Sequence, residues 1–132
     1  MTEPRIPVCA SADLQDGGKG VRFPLNFSGH PGTGFIVRYH GVAHGYVNRC
    51  AHVPIELDWT EGEFFESGGL YLMCATHGAL YEPETGRCVG GPCRGGRLQA
   101  VTVIEEEQTI FWQPDARTGP AVQTISNDKD PA

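Results

Sequence analysis

Residues 50–52 read Cys50-Ala51-His52, and residues 74–78 read Cys74-Ala75-Thr76-His77-Gly78. Each cluster pairs one thiol with one imidazole, and 21 residues stand between His52 and Cys74. Thiolate and imidazole both suit zinc and iron, so the two C-x-H and C-x-x-H clusters can hold one metal centre between two loops. A β-rich run, Tyr46-Val47-Asn48, leads into the first cluster, and a predicted strand over Leu70 to Met73 delivers Cys74. Metal ligands on loops that follow short strands point to a β domain.

Working outward, the rest of the chain has the same character. Short β runs are predicted at residues 5–9, Val21 to Leu25, Phe35 to Tyr39, Leu98 to Ile104 and Thr109 to Trp112. Pro7 confines the first of these to a sheet edge. Residues 79–82 and 87–89 can pair across the turn Pro83-Glu84-Thr85-Gly86. His30 to Gly34 reads as a loop, Gly41 to Gly45 as a turn, and Glu105 to Gln108 as the turn of a final hairpin. The 18 glycines and 10 prolines favour turns over long helices, and no amphipathic helix of ten or more residues is evident. The expected fold is all-β and mostly antiparallel: one domain over residues 1–112 and a loose tail at 113–132.

Composition narrows the function classes. A formal net charge of −6 with no basic stripe argues against nucleic acid and permits docking on a positively charged protein. No apolar run approaches the roughly 18–20 residues of a membrane span. The start, Met1-Thr2-Glu3-Pro4-Arg5, lacks a secretory pattern. The expectation is a cytoplasmic protein in a reducing compartment, where thiols ligate metal. Five cysteines are an odd number, a poor match to a purely disulfide-stapled domain.

The ligand pattern resembles that of the Rieske family, in which two histidines replace two cysteines on one iron of a 2Fe–2S cluster. The resemblance continues through Gly78, the aromatic Tyr81, and the Gly91-Pro92 loop that covers the cluster in such domains. It is best over residues 46–93 and extends over about 5–112. It implies an antiparallel β sandwich or barrel base with a cluster-binding subdomain at the tip. It also implies Cys50, His52, Cys74 and His77 as ligands, with Tyr81, Gly78, Gly91 and Pro92 around the cluster.

Charge counting shows what the mixed ligand set does. Two ferric ions and two sulfides carry two net positive charges, which two thiolates and two neutral imidazoles cancel, whereas four thiolates overshoot. Adding an electron to a neutral centre costs less, so the potential rises above that of plant-type ferredoxins. The electron is expected on the His52/His77 iron. The outer imidazole N–H groups should be more acidic in the oxidised state, so the midpoint is expected to fall at alkaline pH.

Departures from the family pattern refine the expectation. Respiratory-chain members join their cluster loops by a disulfide that uses a cysteine where this chain has Thr76. The serine that donates to a bridging sulfide in high-potential members is Ala79 here, while the tyrosine that donates to a ligand sulfur is matched by Tyr81. The resemblance therefore implies the disulfide-free ferredoxin branch, with a low-to-intermediate potential that Tyr81 raises.

The function implied is a one-electron carrier between a reductase and an oxygenase or other redox enzyme, with no substrate-transforming activity of its own. An oxygenase would need a second domain with a mononuclear iron site. Other readings stand beside it. A structural zinc site accepts two Cys and two His. A small accessory subunit of a larger oxidoreductase would use the same fold. Cys88 and Cys93 would serve a redox sensor if they bond, but two ordinary semi-buried thiols are the expectation. Cys9 is expected as a small core residue. Phe64 and Phe65, with Trp59, are expected to anchor the acidic segment 53–69 onto the domain rather than to dock a partner.

Overall fold

A computed structural model describes residues 5–50, 55–58, 60–76, 78–93, 95–115 and 117–120. Ten strands follow in chain order: β1 Ile6–Ala10, β2 Val21–Phe27, β3 His30–Tyr39, β4 Val42–Val47, β5 Leu72–Met73, β6 Leu80–Tyr81, β7 Cys88–Gly90, β8 Ala100–Glu106, β9 Thr109–Gln113 and β10 Thr118–Pro120. Seven form a curled antiparallel sheet in the order β1-β9-β8-β4-β3-β2-β10, and β5-β6-β7 form a smaller one. This is the antiparallel all-β architecture that the sequence predicts. Pro7 does lie on an edge strand.

Three hairpins of the large sheet turn through two residues of positive φ: Ser28-Gly29, His40-Gly41 and Glu107-Gln108. Two-residue turns of this kind match the right-handed twist of the strands they join. The β3–β4 turn is thus shorter than the Gly41-to-Gly45 turn read from the sequence, and β4 resumes at Val42. The predicted loop His30 to Gly34 is instead the first half of β3, paired with β2 from Phe27↔His30 to Val21↔Ile36. Gly34 answers a packing need: a Cβ there would fall 2.4 Å from the Phe23 ring, and glycine within a strand marks such close approaches.

Alternation along β3 explains its unbroken apolar run. Phe35 and Val37 face the core that holds the small sheet, while Ile36 faces the core inside the curled sheet with Phe23, Leu25, Ile110 and Trp112. All three are fully buried, because β3 is covered on both faces. Phe64 stacks on Phe35 with ring centroids 3.9 Å apart, and Phe65 packs against the same core. Both therefore anchor the acidic segment; Trp59 lies outside the described residues.

The segment expected to begin a loose tail contributes structure. Thr118–Pro120 pairs with β2 as an outer strand, and the Asp115 carboxylate accepts from Thr118 N–H, Thr118 Oγ1 and Arg117 N–H. Residues 121–132 lie outside the described residues.

Tyr46 ties the two sheets together. Its buried phenol donates to the Pro83 carbonyl at 2.7 Å, in the turn between β6 and β7, and burial pushes its pKa well above the ordinary tyrosine value. Tyr46→Phe should cost about 1–2 kcal/mol by leaving that carbonyl unpartnered. The expected readout is a lower denaturant midpoint at unchanged m-value; an unshifted midpoint would mean the tether contributes nothing.

Candidate metal centre

β4 runs into Cys50 and β5 into Cys74, so the two thiols stand at the ends of strands from different sheets. Both are buried, at 3% and 0% exposure, in one apolar core with Leu57, Ala79, Tyr81 and Cys93. Their loops repeat one backbone device. Cys50 N–H donates to Ile55 O at 2.7 Å, and Cys74 N–H donates to Ala79 O at 2.9 Å, each spanning from the cysteine to the fifth residue after it. Gly78 N–H also donates to Cys74 O at 2.8 Å, with Gly78 at a φ of +76° that favours glycine. Ala75 N–H donates to Leu57 O at 2.9 Å, joining the second loop to the segment that follows the first.

Two further groups complete the pocket floor and cap. The Tyr81 hydroxyl is 3.2 Å from Cys50 Sγ; when Cys50 is a thiolate, the phenol is the donor. Gly91 sits on the second loop so closely that a Cβ would lie 2.8 Å from Gly78 O and 3.0 Å from Ala79 Cα. Pro92 follows in the same exposed cap. His52 and His77 lie outside the described residues, as do Ala51, Val53 and Pro54.

This donor set fits an iron–sulfur cluster. Two buried thiols on tied loops supply soft ligands, and a phenol aimed at one sulfur stabilises its negative charge. The Rieske [2Fe-2S] domain model matches residues 4–104. The chain belongs to the Rieske [2Fe-2S] domain family. That family implies a 2Fe–2S cluster. A ferredoxin of carbazole 1,9a-dioxygenase from Nocardioides aromaticivorans IC177 is 22% identical, covering 84% of this chain and 98% of its own, at TM-score 0.66. A Sphingomonas yanoikuyae B1 ferredoxin is 18% identical, covering 85% of this chain and 100% of its own, also at TM-score 0.66. A chain in a complex of reduced oxygenase and oxidized ferredoxin of carbazole 1,9a-dioxygenase is 22% identical over 83% of this chain and 92% of its own, at TM-score 0.64. At these identities the likeness is one of fold. No curated protein matches the sequence significantly.

A buried polar network beneath this Rieske site is absent from the sequence reading. Asn48 Oδ1 accepts from Leu57 N–H at 2.8 Å, and Asn48 Nδ2 donates to Asp58 Oδ1 at 2.9 Å. Asp58 Oδ2 accepts from Gly62 N–H at 3.0 Å and lies 3.7 Å from Arg22 Nε. Asn48 stands two residues before Cys50, so it locks the strand that presents the thiol. The sequence signal was a polar residue ending an apolar strand, Tyr46-Val47-Asn48.

The acidic segment is in good part engaged within the fold. Asp58 is in the network, and Glu56 accepts from Arg22 through both oxygens at 2.9 Å. Glu66 accepts from Gly68 N–H and Leu70 N–H, which hold its carboxyl below the usual range.

The cysteines outside the motif divide. Cys9 is half-buried against the curled-sheet core, and burial pushes its thiol pKa up. Cys88 and Cys93, expected as separate thiols, are joined by a disulfide. The chain leaves β7 and doubles back through the short 3-10 turn Gly91–Cys93, which sets the two Cα atoms 5.7 Å apart, within bridging range.

Proposed function

We propose that the chain is a one-electron carrier that holds one 2Fe–2S cluster through Cys50, Cys74, His52 and His77. The observation that carries this reading is the burial of Cys50 and Cys74 in one core, with the Tyr81 phenol 3.2 Å from the first sulfur, in a chain of the Rieske family. The bound cluster would store and release single electrons. Cys50 and Cys74 would hold the inner iron away from water, and the imidazoles of His52 and His77 would hold the outer one. Tyr81 would donate to Cys50 and favour the more negative, reduced state.

The partners proposed are a reductase as donor and an oxygenase-type enzyme as acceptor. The similar chain in a complex of oxygenase and ferredoxin supports the acceptor class. No helix among the described residues is long and apolar enough to cross a membrane, and a cytoplasmic setting is proposed.

The test is anaerobic reconstitution with iron and sulfide, dithionite reduction and low-temperature EPR. A reduced 2Fe–2S signal is expected; a colourless, iron-free, EPR-silent product would overturn the reading. Tyr81→Phe tests the role of the phenol. Loss of a donor to an anionic sulfur, worth about 1 kcal/mol, should lower the midpoint by roughly 40 mV on the one-electron scale. Potentiometric titration reads this, and an unchanged midpoint would refute the role.

A further inference from the structure

The Cys88–Cys93 disulfide closes a short ring around Val89-Gly90-Gly91-Pro92. Three observations put that ring on the candidate cluster site. Gly91 rests on the Gly78–Ala79 turn with no room for a Cβ. Cys88 is the sheet partner of Tyr81, whose phenol approaches Cys50 Sγ. Cys93 is buried in the same core as Cys50 and Cys74. The cap itself offers little side chain to pack: Gly91 and Pro92 are exposed, and Val89 is 43% exposed. Its position therefore depends on its backbone, and the disulfide constrains that backbone directly.

We propose that the Cys88–Cys93 bond is a dithiol-reducible staple that governs how firmly the Gly90-Gly91-Pro92 cap holds the second ligand loop; its effect on a bound cluster, though not the exchange itself, rests on the carrier reading above. The reductant is a dithiol. One of its thiolates attacks Cys88 Sγ, since Cys88 is half-buried and Cys93 is buried. The Cys88–Cys93 bond breaks, a mixed disulfide forms, and Cys93 leaves as a thiolate that takes up a proton. The second thiol of the reagent attacks its own mixed-disulfide sulfur and releases Cys88 as a thiol. The reagent is oxidised to its disulfide, and the protein gains two electrons and two protons. The opened ring loses its closure constraint, and the contact of Gly91 on Gly78 loosens.

The experiment treats the folded full-length protein anaerobically with dithiothreitol, then alkylates it without denaturant and maps the sites by mass spectrometry. Hydrogen exchange over residues 78–93 is followed in parallel. Cys88 and Cys93 should become alkylated, and amide exchange across the cap should quicken about tenfold, the scale expected when a short ring loses its closure. After reconstitution, iron loss to a chelator should be about tenfold faster in the dithiol-treated protein, and equally fast in a Cys88→Ser/Cys93→Ser variant that no longer responds to dithiothreitol. Alkylation that requires denaturant, or cap exchange unaltered by reduction, overturns the staple. So does a double variant that keeps iron as long as the parent. Should the double variant not fold, the two measurements on the parent protein decide. A chain that takes up no iron in either thiol state removes the carrier reading, while alkylation and exchange still decide the staple.

Discussion

Cys74→Ser is expected to give a protein that keeps its curled seven-stranded sheet but takes up no di-iron cluster. Cys74 is completely buried, and its backbone closes the second loop through Ala79 and Gly78. A serine hydroxyl is a poor ligand for iron that thiolate binds well, and removing one ligand of four should leave the reconstituted protein without iron or an EPR signal. The structural consequence should be local. Cys74 belongs to the core of the small sheet, whereas Leu25, Ile36, Ile110 and Trp112 form a separate core inside the curled one. Cluster binding that contributes folding energy to its own loops predicts faster hydrogen exchange over residues 72–93, with β2, β8 and β9 little changed. Uniform exchange across both sheets, or a full iron complement, would contradict this.

Asn48→Ala should be strongly destabilising although it removes no ligand. It leaves Leu57 N–H without its acceptor and removes the donor to an Asp58 carboxylate whose side chain has 0% exposure. Leaving two buried groups short of partners, one of them charged, costs about 2–4 kcal/mol. Thermal melting should fall by roughly 10 °C for a domain of this size. The pair should also be coupled: Asp58→Ala should cost less in the Asn48→Ala background than alone, because the shared bond is already lost. Strict additivity in that double-mutant cycle would show that the two side chains do not act as a unit. The network also makes Asn48 a positioning residue, since it holds the end of the strand that presents Cys50.

Much of this architecture was legible because local chemistry and global fold agree. Phe35-Ile36-Val37 is a strand in any context that buries both faces, and both faces are buried. The final hairpin turns within the predicted acidic stretch, at Glu107-Gln108. The misread segments share a cause. Glycine and proline at 31–34 have the composition of a loop, yet all four residues lie in β3, where Gly34 leaves clearance for Phe23 and Leu25 on the neighbouring strand. Nothing local to residues 31–34 reports the size of a side chain eight or more positions away. Residues 118–120 look like tail because three residues carry no period, and their strand exists only through the partner edge of β2.

The candidate site divides the same way. The two thiol–imidazole clusters, their glycine and the following tyrosine are sequential motifs, so the proposal of a mixed sulfur–nitrogen centre comes from residue types and spacing alone. Which sulfur Tyr81 approaches and which carboxylate turns inward are distances between segments, and whether Cys88 meets Cys93 depends on the backbone path of the turn between them. Asp58 and Glu56 are indistinguishable as letters in an acidic run; one is buried against Asn48 and the other lies at the surface on Arg22. The chain alone determined the β character and supplied the thiol–imidazole pattern behind the proposed ligand set, because donor residues and strand periodicity are written in neighbouring residues. Only the tertiary structure decided the support beneath and above the site, because burial and pairing depend on what distant segments bring to the same place.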